Sequence, residues 1–365
     1  MNIGILTYYF VHNYGAVLQA YGMQQVLRQL GHTPEFLTFN RSYDHMPIGM
    51  DKKYNIGLRS IPFLFRYLFA NGVGTFFYNF LKKEYIGNFK YKKMNIGHRY
   101  SDITEGAVLI GSDEVFSIDV GVNPCLFGHD ISSNIIFSYA ASFGSTKLED
   151  IDSFGCKELI SSGIDRMKFI GVRDISSKNI VHTLTNRDAT LTCDPVILYG
   201  FENEILRARE EKIREKYILL YSYDKNLNDK KEVRIIKKIA KENHLKIWSV
   251  GYYHKWCDRN IMCTPLEIFK YFCNAEFVIT DTFHGSVLSI ITNTPISVIL
   301  KNKNQKVEFL LEHYQMSERI VSKIEDLEKN YVRDYKYNEV NKLITQDRQE
   351  SYNFLKNCIA EKENA

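Results

Sequence analysis

Apolar runs and amphipathic stretches alternate along the chain, and the first of them predict a strand–helix–strand unit. Residues 2–7 form a short apolar run typical of a buried strand. Apolar side chains then recur at helical spacing over residues 15–30, and Gly31 ends that pattern. Residues 34–39 form a second apolar run. This order favours a parallel βαβ unit and therefore an α/β fold.

The same alternation continues to the end of the chain, with one interruption. Further strands are predicted at 107–111, 134–139, 168–172, 190–193, 217–222, 245–250, 276–280 and 296–300, with helices between most of them. The charged segment 203–216 separates two such series and marks the domain boundary. We predict two Rossmann-like α/β domains that face a cleft, at residues 1–200 and 216–335. A C-terminal helix within 336–365 is predicted to pack back on the first domain.

An insertion at 54–99 departs from this pattern. Aromatic residues dominate 61–81, where Arg66 is the only charge, and six Lys or Arg against one acid follow in 82–99. Pro62 and the glycines of this run are unsuited to a membrane-spanning helix. An aromatic segment beside a basic one could instead lie at a membrane interface near anionic headgroups. The alternative is a buried pair of helices under a lid.

Composition and charge narrow the class of protein. A chain of 365 residues that is 45% hydrophobic can build two packed cores. Its net charge of +4 is too small to predict a nucleic-acid partner. The seven cysteines include no C-x-x-C pair, and the N-terminus lacks the pattern of a signal peptide. Both observations favour a reduced, cytoplasmic protein.

The most informative polar segment follows the strand at 276–280 and reads Asp281-Thr282-Phe283-His284-Gly285-Ser286. A strand that ends in a polar turn and passes into a helix places His284 near a helix N-terminus, where anions bind. A histidine there can hold a phosphate or carboxylate, or act as a general acid or base. The alternative is a structural histidine with its hydrogen bonds satisfied.

Two more predicted strands end in polar residues. Arg173 follows one of them and could clamp a carboxylate or phosphate, whereas an ion pair with Asp174 or another acid would make it structural. Asp174 is a candidate N-cap for the next helix. The turn Gly111-Ser112-Asp113 follows another strand. There Gly111 could admit a ligand, Ser112 could donate a hydrogen bond and Asp113 could grip sugar hydroxyls, although this tripeptide is also a common turn.

The loop after the first strand ends in Asn13-Tyr14-Gly15, where Asn13 is a candidate N-cap. Several familiar patterns are missing from the sequence, namely G-x-x-x-x-G-K-[ST], a full G-x-G-x-x-G, H-E-x-x-H and G-x-S-x-G. Their absence disfavours P-loop kinases, zinc proteases and α/β-hydrolases, and nothing in the sequence demands a metal.

Taken together, the ordered segments resemble the polysaccharide pyruvyl transferase family. The resemblance rests on residues 13–21 (NYGAVLQAY), 111–113 (GSD), 138–144 (SYAASFG), 172–174 (VRD), 194–195 (DP) and 280–285 (TDTFHG). It implies a GT-B-like fold with the acceptor side in the first domain and the donor side in the second. It also implies transfer of pyruvate from phosphoenolpyruvate, the donor substrate, onto a sugar with release of phosphate. By family likeness the sugar would be galactose and the product a 4,6-ketal, with no cofactor.

The resemblance also implies roles for individual residues. His284 and Arg173 would serve the phosphoenolpyruvate site, and Asp113 is our choice for activating an acceptor hydroxyl. Substrate-binding positions would be Asn13, Tyr14, Gly15, Gly111, Ser112, Thr282, Phe283, Gly285, Ser286 and Lys301. Many relatives carry Arg where this chain has Thr282, and a hydroxyl cannot replace that charge. Lys301 is a candidate for the compensating cation.

Two other functions fit the same sequence. One is a nucleotide-sugar glycosyltransferase of the same architecture, for which we find no clear diphosphate-binding segment. The other is a non-catalytic sugar-binding member of a capsule-assembly complex, which the absence of Arg at position 282 favours. For the pyruvyl transferase, acceptors are often glycans on a lipid diphosphate. A cytoplasmic enzyme would then work peripherally at the inner face of the membrane, and the insertion at 54–99 could contact the inner leaflet.

Overall fold

The computed structural model describes residues 1–40, 61–103, 105–300 and 305–360, and for residues 61–71 it describes the backbone only. Three sequence predictions therefore fall wholly or partly outside the described residues. They concern Lys301, the first part of the insertion (54–60) and the last five residues of the chain.

The first domain is a seven-stranded parallel sheet with helices on both faces. Its strands are β1 (Asn2–Leu6), β2 (Thr33–Thr38), β3 (Ile96–Arg99), β4 (Ala107–Ile110), β5 (Ile135–Ala141), β6 (Phe169–Val172) and β7 (Thr190–Leu191). They lie in the order β3-β2-β1-β4-β5-β6-β7, so β1 and β4 are central and the strand order reverses between them. Strands β4 and β5 are buried throughout, because helices cover both faces.

The helices of this half are α1 (Tyr14–Gln29), α2 (Ile61–Lys93), α3 (Leu148–Ser153), α4 (Lys157–Asp165), α5 (Ile175–Thr185) and α6 (Pro195–Tyr199). Helices α3 and α4 follow each other closely along the chain. Between them Gly155 has a φ of 63°, a left-handed conformation that ends the first helix.

The second domain is a six-stranded parallel sheet. Its strands are β8 (Tyr217–Tyr221), β9 (Lys246–Val250), β10 (Arg259–Ile261), β11 (Phe277–Thr280), β12 (Ile296–Ile299) and β13 (Ile320–Val321), in the order β10-β9-β8-β11-β12-β13. Its helices are α7 (Glu202–Glu210), α8 (Lys230–Glu242), α9 (Ile268–Cys273), α10 (Phe283–Thr292), α11 (Gln305–His313) and α12 (Leu327–Tyr331). Here the strand order reverses between β8 and β11.

The two domains pack against each other through an apolar contact. The ring of Phe201, which links α6 to α7, lies 4.8 Å from the ring of Phe269 in α9. The last helix, α13 (Tyr337–Ala360), crosses back and packs on the first domain. There the backbone N–H of Cys193 donates to Ser351 Oγ at 2.9 Å, and the ring of Phe354 lies 6.3 Å from that of Tyr139.

Helix α2 bridges the first domain to the second. It is broken at Gly72, where φ is 79°. Beyond that break one face contacts the second domain, because the Tyr78 hydroxyl donates to the Ile261 carbonyl at 2.7 Å and Lys82 Nζ donates to the Gly251 carbonyl at 2.9 Å. The sequence left two alternatives for this insertion, a buried pair of helices or a segment at a membrane interface. Over residues 73–93 only one face of the helix is buried.

The opposite face of α2 exposes large apolar side chains, and we call it the α2 apolar face. Its members are Val73, Phe77, Phe80, Leu81 and Tyr85, all more than 40% exposed. Among the basic residues of this region, Lys82 and Lys90 are buried, whereas Lys83, Lys92, Lys93 and, in β3, Arg99 are exposed. Within the described part of the chain, no helix is both long and apolar enough to cross a membrane.

Candidate functional site

The candidate site lies between the domains, where the central strands of both sheets end. Strands β1 and β4 point their carboxyl ends at this cleft from the first domain, and β8 and β11 do so from the second. In parallel sheets ligands bind at such reversals of strand order. A cavity of about 360 Å³ occupies the cleft, lined by Tyr8, Val11, Asn13, Ala16, Asp113, Glu114, Ser117, Asp119, Val120, Tyr221, Tyr223, Tyr252, Thr282, Phe283, His284 and Lys306.

His284 is held at the start of α10 by a cap and a close contact. The Thr282 hydroxyl accepts a hydrogen bond from the Gly285 N–H at 2.9 Å and thereby caps the helix. The imidazole lies against the backbone of Gly15 at the start of α1, and a Cβ at that position would overlap the ring. Gly15 is therefore required so that the two domains can meet at His284.

The imidazole of His284 is not a satisfied structural group. Its Nε2 atom has no hydrogen-bond partner among the described residues, and it lies 3.7 Å from Oδ2 of Asp194. Burial lowers the pKa of His284 below its usual value, and the charges of Arg173 and Lys306 add to that effect, although Asp194 and Asp113 oppose it. The ring is therefore neutral near pH 7, and His284 lines the cavity while its buried Nε2 faces Asp194.

Arg173 lies beneath the floor of the cavity in a buried network of charges. Its Nη1 donates to Oδ2 of Asp194 at 2.9 Å and its Nη2 donates to Oδ1 of Asp113 at 3.3 Å. The guanidinium lies 4.2 Å from the centre of the Phe283 ring, and the side chain is only 3% exposed. Arg173 thus pairs with two acids other than Asp174, which caps α5 through the Ser177 N–H as the sequence predicted.

Asp113 shares Arg173 with Asp194 but borders the cavity. Its φ of 76° is a left-handed conformation, which aspartate tolerates better than most residues. Burial raises its pKa, but the charges of Arg173 and Lys306, together with that of His284 when the ring is protonated, outweigh burial and hold the pKa of this carboxyl below its usual value. Asp113 is therefore ionised, and it suits accepting a hydrogen bond better than accepting a proton.

Asp194 is a site residue whose role the sequence did not reveal. Its carboxylate is fully buried, its Oδ1 accepts the Val196 N–H at 2.9 Å, and its Oδ2 faces both Arg173 and His284. The sequence pointed to this position only through the Asp194-Pro195 pair. A second signal was available, because this residue follows the last strand of the first sheet, at the same edge as Asp113 and Arg173.

Lys306 and Glu114 form an ion pair across the cleft. Lys306 belongs to α11 of the second domain, and Glu114 follows Asp113 in the first. Both side chains line the cavity and are partly exposed, at 23% and 32%. The sequence proposed Lys301 as the extra cation, which lies outside the described residues, and did not single out Lys306.

Five of the predicted site residues line the cavity: Asn13, Asp113, Thr282, Phe283 and His284. Of these, Asn13 also caps α1 as predicted, through its Oδ1 and the Gly15 N–H at 2.8 Å. Its Nδ2 donates to the Tyr252 hydroxyl at 3.1 Å, so this side chain joins the first domain to the second.

Other predicted binding residues point away from the cavity, with their side chains committed elsewhere. Ser112 is fully buried and donates to Gln19 rather than to a ligand position. Tyr14 donates to the Cys263 carbonyl at 2.6 Å, across the domain contact. Gly111 has a φ of 123°, and a Cβ there would overlap the Tyr139 carbonyl, so it admits a neighbouring strand rather than a ligand.

The remaining predicted positions serve the start of α10. A Cβ at Gly285 would overlap the Thr280 hydroxyl, and Ser286 is fully buried with its Oγ donating to the Thr282 carbonyl at 3.1 Å. Both residues therefore hold the turn that carries His284.

The second domain adds aromatic side chains that the sequence did not single out. Tyr221 ends β8, Tyr223 and Tyr252 follow β8 and β9, and all three line the cavity. Lys82 of α2 stacks over Tyr252, with Nζ 4.7 Å from the ring centre. Burial lowers the pKa of Lys82 to about 8, and Asp224 opposes that effect.

In the described ranges, no group of three or more His, Cys, Asp or Glu side chains could hold a metal ion. The chemistry that the cavity can supply from its own residues consists of a neutral imidazole, an ionised carboxylate and a lysine paired with a glutamate. Such a set fits proton transfer next to a bound anion.

Comparisons with known proteins identify both the family and the fold. The model of the family described as polysaccharide pyruvyl transferase matches residues 13–300. Comparison with curated proteins gives no match. Among solved structures, UDP-GlcNAc 2-epimerase from Neisseria meningitidis is 10% identical, with a TM-score of 0.54 and coverage of 99% of this chain and 100% of that one. The Methanocaldococcus jannaschii UDP-GlcNAc 2-epimerase is 13% identical, with a TM-score of 0.51 and coverage of 92% and 94%. These likenesses confirm the predicted GT-B-like fold of two Rossmann-like domains.

Proposed function

Because the chain belongs to the polysaccharide pyruvyl transferase family, we propose that it transfers the pyruvyl unit of phosphoenolpyruvate onto a sugar of a polysaccharide precursor. The product is a cyclic ketal across two hydroxyls, with galactose and a 4,6-ketal as our first choice, and phosphate is released. The observation that supports this best is His284, a neutral imidazole that lines the cavity between the two domains and whose buried Nε2 has no hydrogen-bond partner among the described residues.

The proposed reaction balances without a metal or redox group. One sugar hydroxyl adds to C2 of phosphoenolpyruvate while its hydrogen ends on C3, which becomes the methyl group. The second hydroxyl then attacks C2, the C2–O bond to phosphate breaks, and the second hydrogen leaves with the phosphate. The protein therefore needs a group that takes a proton from a hydroxyl and returns it to carbon or phosphate.

His284 fits that role because its low pKa keeps the imidazole ready to accept a proton. The anionic donor would then raise the pKa of His284 once it binds nearby, which prepares the ring to give the proton back. Asp194 and Arg173 position the ring and balance its charge from below. Asp113 accepts a hydrogen bond from an acceptor hydroxyl, a role suited to an ionised carboxylate at the cavity wall.

The acceptor sugar would occupy the part of the cavity bordered by Tyr8, Tyr223 and Tyr252. Aromatic rings offer apolar faces to a sugar, and Asp119 adds an acceptor for its hydroxyls. The donor would lie toward His284 and the second domain. This arrangement places the donor on the second domain and the acceptor between the domains, because Tyr8 and Asp119 belong to the first domain and Tyr223 and Tyr252 to the second.

The test is to incubate the protein with phosphoenolpyruvate and a panel of galactosides, including lipid-diphosphate-linked glycans. We expect release of phosphate in step with a mass gain on the sugar that corresponds to an acidic ketal. His284→Gln should abolish both signals while thermal unfolding shows an intact fold. No mass gain on any acceptor would contradict the proposal.

The same samples separate the two competing functions. Thermal stabilisation by UDP-sugars but not by phosphoenolpyruvate would favour a nucleotide-sugar glycosyltransferase. Stabilisation by glycans alone, with His284→Gln indistinguishable from wild type, would favour a non-catalytic sugar-binding protein.

We also propose that the acceptor is presented on a membrane and that the α2 apolar face meets it. The face combines Phe77, Phe80 and Tyr85 with exposed Lys83 and Lys92 on the same helix. Aromatic and basic side chains together suit an anionic lipid surface, such as the cytoplasmic leaflet.

Co-sedimentation with liposomes tests this contact. We expect binding to anionic but not to neutral liposomes, weakened by salt and lost in Phe77→Ser/Phe80→Ser. Leu206→Ser is the matched control, because Leu206 is similarly exposed but belongs to a different helix, α7. Equal sedimentation with and without anionic lipid, or equal loss in both variants, would contradict the contact.

A further inference from the structure

The proposed donor brings a carboxylate and a phosphate, so the cavity has to supply positive charge to bind it. Two cations among the described residues are close enough to His284 to shift its pKa, namely Arg173 and Lys306. Which of them can reach a ligand is decided by their partners and exposure.

Arg173 is poorly placed to bind the donor. Both of its terminal nitrogens are committed to carboxylates, at 2.9 Å to Asp194 and 3.3 Å to Asp113, and its side chain is 3% exposed. Releasing either acid would leave a buried charge without a partner, which is costly. Arg173 is also not among the residues that line the cavity, whereas its neighbours Asp113 and Phe283 are.

Lys306 differs on each of these points. It lines the cavity, its side chain is 23% exposed, and its partner Glu114 is 32% exposed. An ion pair of this exposure contributes little free energy, about 0–1 kcal/mol. A donor phosphate offers stronger charge-assisted hydrogen bonds than such a pair. Exchange of one partner for the other is therefore favourable at this position.

We propose that Lys306 is the cation that binds the phosphate or carboxylate of the donor, and that it exchanges Glu114 for this anion when the donor enters. This inference rests on the proposed function. The exchange frees the carboxylate of Glu114, which lines the same cavity and can then accept a hydrogen bond from an acceptor hydroxyl. Donor binding would thus prepare the acceptor side, and the acceptor would bind more tightly after the donor.

Calorimetric titration with phosphoenolpyruvate tests the role of Lys306. We expect Lys306→Met to weaken the Kd by about 10–100-fold, the range for one hydrogen bond to a charged group, and Lys306→Arg to retain most of the affinity. Glu114→Gln should bind phosphoenolpyruvate as tightly as wild type or more so, because the competing carboxylate is gone. Lys270→Met is the matched control, since Lys270 pairs with Glu211 in the second domain, away from the cavity.

The outcomes distinguish this inference from the function on which it rests. Tight binding by wild type with an unchanged Kd in Lys306→Met would overturn the role of Lys306 alone. So would a Glu114→Gln variant that loses affinity as Lys306→Met does, since the pair would then be structural. No binding of phosphoenolpyruvate to wild type, with or without a galactoside, would overturn both.

Discussion

Two sets of charges meet at the cleft, and they differ in depth more than in chemistry. Beneath the cavity, Arg173 is clamped between Asp194 and Asp113, and its side chain is almost fully buried. At the cavity itself, Lys306 faces Glu114 across the domain gap, and both side chains reach solvent. We call these the buried network and the cleft pair.

Depth determines what each set can do. A charge in the buried network cannot change partner without leaving another charge unpaired in a region of low dielectric constant. The network is therefore suited to holding His284 and Asp113 in place. The cleft pair is screened and weak, so it can open for a ligand. We therefore infer that the buried network positions the site residues and that the cleft pair serves ligand binding.

The largest expected effect is on stability. Arg173→Met leaves Asp194 and Asp113 without their shared cation, and we expect the free energy of unfolding to fall by about 3–5 kcal/mol. Glu114→Gln removes one partner of the cleft pair and should cost at most about 1 kcal/mol. Urea denaturation of both variants measures the difference. Equal losses would mean that depth does not separate the two sets.

A second expected effect concerns activity, and it uses a substitution that keeps the shape of the side chain. Asp194→Asn keeps the volume of the side chain and its ability to cap α6, but removes the negative charge next to His284. We expect kcat/KM to fall at least about tenfold, since general acid–base catalysis contributes about 10²–10⁴. Initial rates of phosphate release from phosphoenolpyruvate would measure this change.

Asp174→Asn is the control for that variant. Asp174 is also a buried N-cap after a strand of the same sheet, and it bonds Ser142 and Ser177 rather than Arg173. An equal loss of activity in the two variants would show that Asp194 acts only as a cap.

The sequence predicted the central strands of both sheets because each is a buried apolar run. Of the four edge strands only β7 was predicted; β3, β10 and β13 have two to four residues each and were not predicted, and all of β3 is exposed. Such edges are formed by pairing with a neighbour, and the local sequence carries little sign of that pairing.

The same limit applies to the candidate site, because the sequence predicts residues near strand ends but not those that domain packing brings together. Residues in the turns after predicted strands, such as His284, Arg173 and Asp113, could be found from the end of the strand. Lys306 lies on α11, two elements after the helix that carries His284, and only the packing of the domains brings it to Glu114. Conversely, Ser112 and Ser286 share the same polar turns but point into the core, and no local pattern separates them from ligand-facing residues.

The smallest expected effect is in the dependence on pH, and it measures how the buried network acts on His284. Burial lowers the pKa of His284 in the folded protein, so the ring stays neutral in mild acid and the acidic limb of kcat/KM should lie below pH 6.5. Asp194 raises the pKa of the ring, so Asp194→Asn should move this limb to still lower pH.

The free energy of unfolding should also depend on pH through His284. The unfolded chain protonates His284 near pH 6.5, before the folded protein does. The contribution of His284 is therefore present above pH 6.5 and lost as the pH falls toward the folded pKa, by at most about 1.4 kcal/mol per pH unit. His284→Gln should remove this part of the slope, as denaturation at pH 5.5 and 7.5 would measure. A slope that is unchanged in His284→Gln, or an acidic limb that does not move in Asp194→Asn, would mean that the buried network does not control the protonation of the ring.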